Sequence, residues 1–111
     1  MRVNTQNYND VTVIELQGEL DNDVSDPVKT TVTESVAAHR RRIVLDLSNV
    51  NFIDSQGLEL LLWVHQYCRQ NRVQLKLAGL DENCRKILDI TRLKDEFDCH
   101  AELTGAVRSF A

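Results

Sequence analysis

Ile43-Val44-Leu45-Asp46-Leu47, followed by Phe52-Ile53-Asp54-Ser55-Gln56-Gly57-Leu58, is the stretch that decides the fold. Ile43 to Leu47 is a short apolar run of the kind a parallel sheet buries on both faces. Phe52 to Gly57 reads as a polar turn. Beyond it Leu58, Leu61, Leu62, His65 and Cys68 recur at the 3.6-residue spacing of one helical face. The chain therefore passes from a buried strand through a turn into a long helix, which is half of a βαβ unit.

The flanking sequence repeats that unit. Upstream, Val3 to Tyr8 reads as a first strand and Asn9-Asp10 as a turn. Val11 to Gln17 alternates as a second strand, so the two form a hairpin. Gly18 to Asp23 is a polar connection. Ser25-Asp26-Pro27 starts a helix, with Pro favoured in the first turn, and Val28, Val32 and Val36 form its apolar stripe. Downstream, Val73 to Ala78 alternates as a strand, and Gly79 stands where a tight turn is needed. Asp81 caps a third helix that aligns Cys84, Ile87, Leu88 and Thr91. Phe97 to His100 reads as a short last strand and the tail through Phe110 as a helix. The order ββαβαβαβα implies an α/β fold on a mainly parallel sheet.

The 111 residues fit one domain, 1–111. A net charge of −4 and a pI near 5.3 speak against a nucleic-acid binder. Arg40-Arg41-Arg42 reads as a solvated edge before a strand or as a contact patch. Cys68, Cys84 and Cys99 are odd in number and widely spaced, which suits reduced thiols. No leader and no membrane-length apolar run is visible, so a soluble cytoplasmic protein is expected, with any membrane link through a partner. His39, His65 and His100 are scattered among the cysteines without metal-ligand spacing. Ser55 lacks a nearby His, and the glycines form neither a nucleophile elbow nor a phosphate loop. Neither an enzyme, a metal nor a cofactor is expected.

Ser55, at the junction of strand and helix, admits two readings. It is a good N-cap, its oxygen accepting from a first-turn amide. It is also a place where a phosphate would be tolerated, since free N–H groups and the positive dipole end stabilise an oxyanion. Such a phosphate adds about −1.5 to −2 charge beside Asp54 and near Glu59, changing the surface without melting the helix.

Three stretches in register carry a resemblance. Asp54-Ser55-Gln56-Gly57-Leu58 resembles the Asp-Ser-small-Gly-Leu signature of STAS-domain anti-sigma factor antagonists. Gly18-Glu19-Leu20-Asp21 is similar to the family's Gly-Glu-Leu-Asp, and Ile90-Thr91-Arg92-Leu93 to its Ile-Thr-x-Leu segment. The resemblance implies a mixed sheet of about four or five strands with helices packed mainly on one side. It implies Ser55 as the phospho-acceptor. It further implies a GHKL-type serine kinase that is also an anti-sigma factor, and a metal-dependent serine phosphatase. Asp21 and Asn22 are expected near Ser55 and, with Asp54, Gln56, Gly57 and Glu59, on the partner surface.

Gln56 departs from the small residue usual after the serine, and Glu59 adds a first-turn acid that suits the dipole. Trp63 is either an exposed contact residue or part of a wide apolar face. A stand-alone subunit of a membrane lipid transporter, or a partner switch with a non-sigma output, keeps the same fold.

Overall fold

The computed structural model describes residues 2–20 and 25–110. Strand β1 (Arg2–Tyr8) and β2 (Val11–Leu20) form the hairpin. Then come α1 (Ser25–Ala37), β3 (Arg42–Ile53), α2 (Ser55–Gln70), β4 (Gln74–Ala78) and α3 (Glu82–Ile90). A 3-10 turn (Lys94–Glu96), β5 (Cys99–His100) and α4 (Leu103–Arg108) finish the chain. The five strands lie in the order β1-β2-β3-β4-β5, with β1 antiparallel to β2 and every other pair parallel.

The alternation along β3 sets two cores. Ile43, Leu45 and Leu47 face one side, where Val28 and Val32 of α1, Leu60, Leu61 and Val64 of α2, and Cys84 and Leu88 of α3 cover them. Val44 faces the other side and packs with Val11, Val13 and Ala78 under Ala106 and Phe110. Three helices thus lie on one face and the short α4 on the other. Asp46 is buried to 5% exposure, and its Oδ1 takes hydrogen bonds from both the Ser48 amide and hydroxyl.

Two expectations shift. β3 does not stop at Leu47 but runs to Ile53, and the expected turn from Phe52 to Gly57 shrinks to the single residue Asp54. The cause is β2, which stays paired with Val50, Phe52 and Ile53 because β3 takes up one extra residue between Asp46 and Asn49 and another between Val50 and Phe52 as bulges. The apolar stripe of α2 is also rotated. Gly57, Leu60, Leu61, Val64 and Cys68 are buried, and Leu58, Leu62 and His65 flank them. A helix that starts at Ser55 brings Gly57 to the inner face, and adjacent leucines at 60, 61 and 62 leave the phase open in sequence.

Trp63 belongs to the wide apolar face. It stacks on Tyr67 at 5.0 Å, and Lys29 of α1 lies 5.1 Å from its ring centre. His65 meets the edge of Phe97 at 5.3 Å. The arginine run is a partly exposed edge at the start of β3, tied down by hydrogen bonds. Arg40 donates to Thr12 Oγ1 (2.6 Å) and to the Asn9 carbonyl (3.0 Å), Arg41 to the Asn71 carbonyl (2.9 Å), and Arg42 pairs with Asp10 (2.7 Å). These bonds clamp the hairpin turn and the end of α2 to the start of β3.

Helices α1, α2 and α3 end alike. His39, Arg72 and Arg92 take left-handed φ values of 65°, 59° and 61°. The next amide then reaches back five residues, Arg40 to Ser35, Val73 to Cys68 and Leu93 to Leu88. A side chain in this conformation costs about 1 kcal/mol or more. Arg72 is exposed, so Arg72→Gly is expected to raise stability by about 0.5–1 kcal/mol. An unchanged urea midpoint for that variant would show that this cap carries no strain.

Cys68 and Cys84 are buried and Cys99 is exposed, all as free thiols. Burial pushes the Cys68 thiol up to about 11. Burial, aided by Asp81, pushes that of Cys84 up to about 12. Native protein at pH 8 is expected to give one accessible thiol, Cys99, which reacts more slowly than free cysteine because burial and Asp98 push it up, and two that react only on unfolding. Because the fold keeps both buried thiols neutral, their contribution is fully present below pH 9 and is lost as pH rises toward 11–12. Urea midpoints measured across that window are expected to fall.

Candidate functional site

The strands β2 to β5 are parallel, so their carboxyl ends share one edge of the sheet. β2 and β3 reach furthest: β4 pairs β3 only as far as Asp46, whereas Leu20 still pairs with Ile53. The junction of β3 and α2 stands at the tip of this extension. Asp54 is extended (φ −96°, ψ −173°) and its Oδ1 accepts from the Gly57 amide at 2.8 Å. The Leu58 amide donates to the Asp54 carbonyl at 3.0 Å and closes the first turn.

The N-cap is therefore Asp54, not Ser55. Both residue types cap well, and where β3 ends decides between them. Ser55 becomes the first helical residue. It is exposed, and its hydroxyl makes no hydrogen bond to another described residue. The structural duty that a serine here would perform is already performed by its neighbour. The Ser55 and Gln56 amides sit in the first turn, where a helix supplies no internal acceptor.

Gln56 and Glu59 are exposed and Asp54 is half-buried on the same turn. Gly57 is buried, and its role is the amide that Asp54 holds. Asp21 and Asn22 lie outside the described residues. Phe52, read in sequence as part of the turn, is a strand residue that is 48% exposed and paired with the exposed Glu19. Its signal was the neighbouring Ile53: two apolar residues in succession on a strand point to opposite faces, so only one can be buried against the helices.

Cap and acceptor are separable by mutation. Asp54→Ala is expected to cost about 1 kcal/mol of stability. Ser55→Ala is expected to change it by less than about 0.5 kcal/mol, as for an exposed surface site. Thermal or urea unfolding of the two variants reads the difference, and a larger loss for Ser55→Ala would return the capping role to the serine.

The fold and the junction together define a small α/β domain that presents a serine hydroxyl and a rim of polar side chains at the carboxyl edge of the parallel strands. The STAS domain model matches residues 2–106. The chain is 32% identical over 103 residues to an anti-sigma-B factor antagonist of Bacillus subtilis, covering 93% of each chain. Its structure superposes on an anti-sigma factor antagonist from Mycobacterium paratuberculosis with a TM-score of 0.87 at 21% identity, covering 97% and 92% of the two chains. It also superposes on the phosphorylated form of the Bacillus cell fate determinant SpoIIAA with a TM-score of 0.76 at 18% identity, covering 99% and 100%. The chain belongs to the STAS domain family. No helix among the described residues is long and apolar enough to cross a membrane.

Proposed function

We propose that this chain is an anti-sigma factor antagonist that works by partner switching. The unphosphorylated form captures a GHKL-type serine kinase that doubles as an anti-sigma factor. Phosphorylation of Ser55 releases the kinase, and a metal-dependent serine phosphatase resets the switch. The chain itself acts by binding and catalyses nothing.

The observation that carries this reading is the exposed Ser55 hydroxyl, left spare by the Asp54 cap. A kinase needs an accessible hydroxyl, and a switch needs one whose modification spares the fold. The relatives named as anti-sigma factor antagonists support the role. The neighbour solved in a phosphorylated form supports the chemistry on this fold. The proposed docking surface is the tip of the β2–β3 extension: Asp54, Gln56, Glu59 and Phe52, with Asp21 and Asn22 following Leu20 in the chain.

The test is intact and peptide mass spectrometry after incubation with the cognate kinase and ATP. One phosphate on Ser55, removed by the phosphatase, is the expected result. No modification by a kinase that is active on another substrate would sink the switch and favour a docking subunit of a membrane lipid transporter.

A further inference from the structure

The chain leaves β2, β3 and β4 toward the same face, since α1, α2 and α3 all cover one core. After β5 it turns to the opposite face, where α4 packs. β4 and β5 are adjacent and parallel. Where neighbouring parallel strands send their connections to opposite faces, a crevice opens beyond their carboxyl ends, and in open α/β sheets that is where ligands bind.

Such a crevice is present here, with a volume of about 250 Å³. Leu80, just after β4, and Ala101, just after β5, form its two sides; Leu88 is its buried apolar floor and Arg85, Lys94 and Cys99 complete the lining with His100. The charge is one-sided. The chain as a whole carries −4, yet no carboxylate is among the lining residues and two permanent cations are. Neither Arg85 nor Lys94 is ion-paired to a carboxylate among the described residues. Five acids adjoin lining residues in sequence (Asp81, Asp89, Asp95, Asp98 and Glu102), but none of them lines the crevice, and Asp98 is paired with Lys76 at 3.0 Å. The Cys99 thiol feels the same surroundings: burial and Asp98 push it up, while Arg85 and Lys94 pull it down.

We propose that this crevice binds a small organic oxyanion, its phosphate or carboxylate head between Arg85 and Lys94 and its apolar body on Leu80 and Leu88. Arginine supplies the planar fork that such heads accept, and lysine a mobile point charge. The volume lies below the range of pockets for drug-sized molecules, which limits the body to a short chain or a single ring. Ser55 is not among the residues that line the crevice.

The test is an amide NMR titration of the full chain at constant ionic strength with phenyl phosphate, inorganic phosphate and butyrate in separate arms. Phenyl phosphate or butyrate is expected to shift Leu80, Leu88, Cys99 and Ala101 saturably, and to bind more tightly than inorganic phosphate. The two organic arms decide between a phosphate and a carboxylate head. Bound ligand is expected to slow alkylation of Cys99. Arg85→Gln and Lys94→Gln, both at exposed positions, are each expected to weaken binding about tenfold, the worth of one charge-assisted hydrogen bond. Ser55→Ala is expected to bind as the wild type does. Shifts that never saturate, that centre on Arg40 to Arg42, or that persist in both glutamine variants would overturn the site. Equal affinity for inorganic phosphate and phenyl phosphate, with no butyrate binding, would overturn the apolar floor.

Discussion

Phosphorylation of Ser55 is expected to weaken capture of the kinase at least about a hundredfold, which requires only about 2.7 kcal/mol, while the unfolding midpoint stays close to that of the unmodified protein. The two halves of this expectation have separate causes. The loss of binding comes from charge. A phosphate adds about −1.5 to −2 at pH 7 beside the Asp54 carboxylate and one turn from Glu59. A partner surface complementary to a neutral hydroxyl must then desolvate that charge or meet it with a like charge, and either cost is several kcal/mol at a buried contact. The survival of the fold comes from the division of labour at the junction. Asp54 keeps the Gly57 amide, so adding a phosphate to Ser55 breaks no cap. The first-turn amides and the dipole offset part of the new repulsion, by about 0.3–1 kcal/mol.

Titration calorimetry with phosphorylated protein, Ser55→Ala and Ser55→Asp measures the first half. Ser55→Ala is expected to bind like the unmodified protein. Ser55→Asp is expected to fall between, since one carboxylate carries less charge and fewer acceptors than a phosphate. Equal affinity for Ser55→Asp and Ser55→Ala would remove the electrostatic argument. A large drop in the unfolding midpoint on phosphorylation would instead make this a folding switch. Glu59→Gln adds a second reading of the charge, because removing a like charge near the phosphate is expected to narrow the gap between the two forms.

The element order was legible because each strand and helix carries its own period and its own start signal. Val11 to Gln17 and Val73 to Ala78 alternate, Pro27 marks the first turn of α1, and Asp81 caps α3, accepting from the Cys84 amide at 2.8 Å. What sequence left open was phase and extent. Leu60-Leu61-Leu62 satisfies several helical faces at once, and only the start of α2 at Ser55 chooses among them. Ser48, Asn49 and Asn51 look like loop residues because that stretch of β3 is exposed, yet Asn49 pairs with Gln17, and Ser48 and Asn51 sit in bulges of β3 that keep the strand running. The same ambiguity hid the cap. Asp54 and Ser55 are equally good candidates until the last residue of β3 is known, and with it the residue left over for chemistry. Phe52 was passed over for the same reason. The helix ends at His39, Arg72 and Arg92 carry no glycine, so their left-handed caps had no sequence signal. The arginines at 40 to 42 were opaque because their partners, Thr12, Asn9, Asn71 and Asp10, are distant in the chain.

Gly79→Ala is expected to destabilise the protein by about 2–4 kcal/mol. Gly79 joins β4 to α3 with φ +75°, which costs an L-residue about 1–2 kcal/mol. Its position is also closed on one side by β3. A Cβ there would collide with Ser48 Oγ and lie 3.0 Å from Ser48 Cα and Cβ. Ser48 cannot swing aside freely, since its amide and hydroxyl both bond the buried Asp46 carboxylate. Moving the turn outward is no easier, because the Gly79 amide donates to the His100 carbonyl at 3.0 Å and so ties β4 to β5. Overpacking of this kind adds about 1–3 kcal/mol. Against a total stability of about 5–15 kcal/mol for a domain, the melting midpoint is expected to fall by about 10 °C or more. Ser48→Ala separates the two causes in a double-mutant cycle. Removing the hydroxyl relieves the worst contact but leaves the Cα approach and the positive φ, so the second substitution is expected to recover only part of the loss. Full recovery would assign the whole penalty to the hydroxyl, and a Gly79→Ala loss below about 1 kcal/mol would mean that the turn shifts without disturbing the bond to His100. The prediction also bears on the oxyanion crevice. Leu80 follows Gly79 directly and forms one of its sides, so a Gly79→Ala protein that still folds is expected to bind the crevice ligand less tightly with Arg85 and Lys94 untouched, while Ser55, on the tip of the other strand pair, remains a substrate for the kinase.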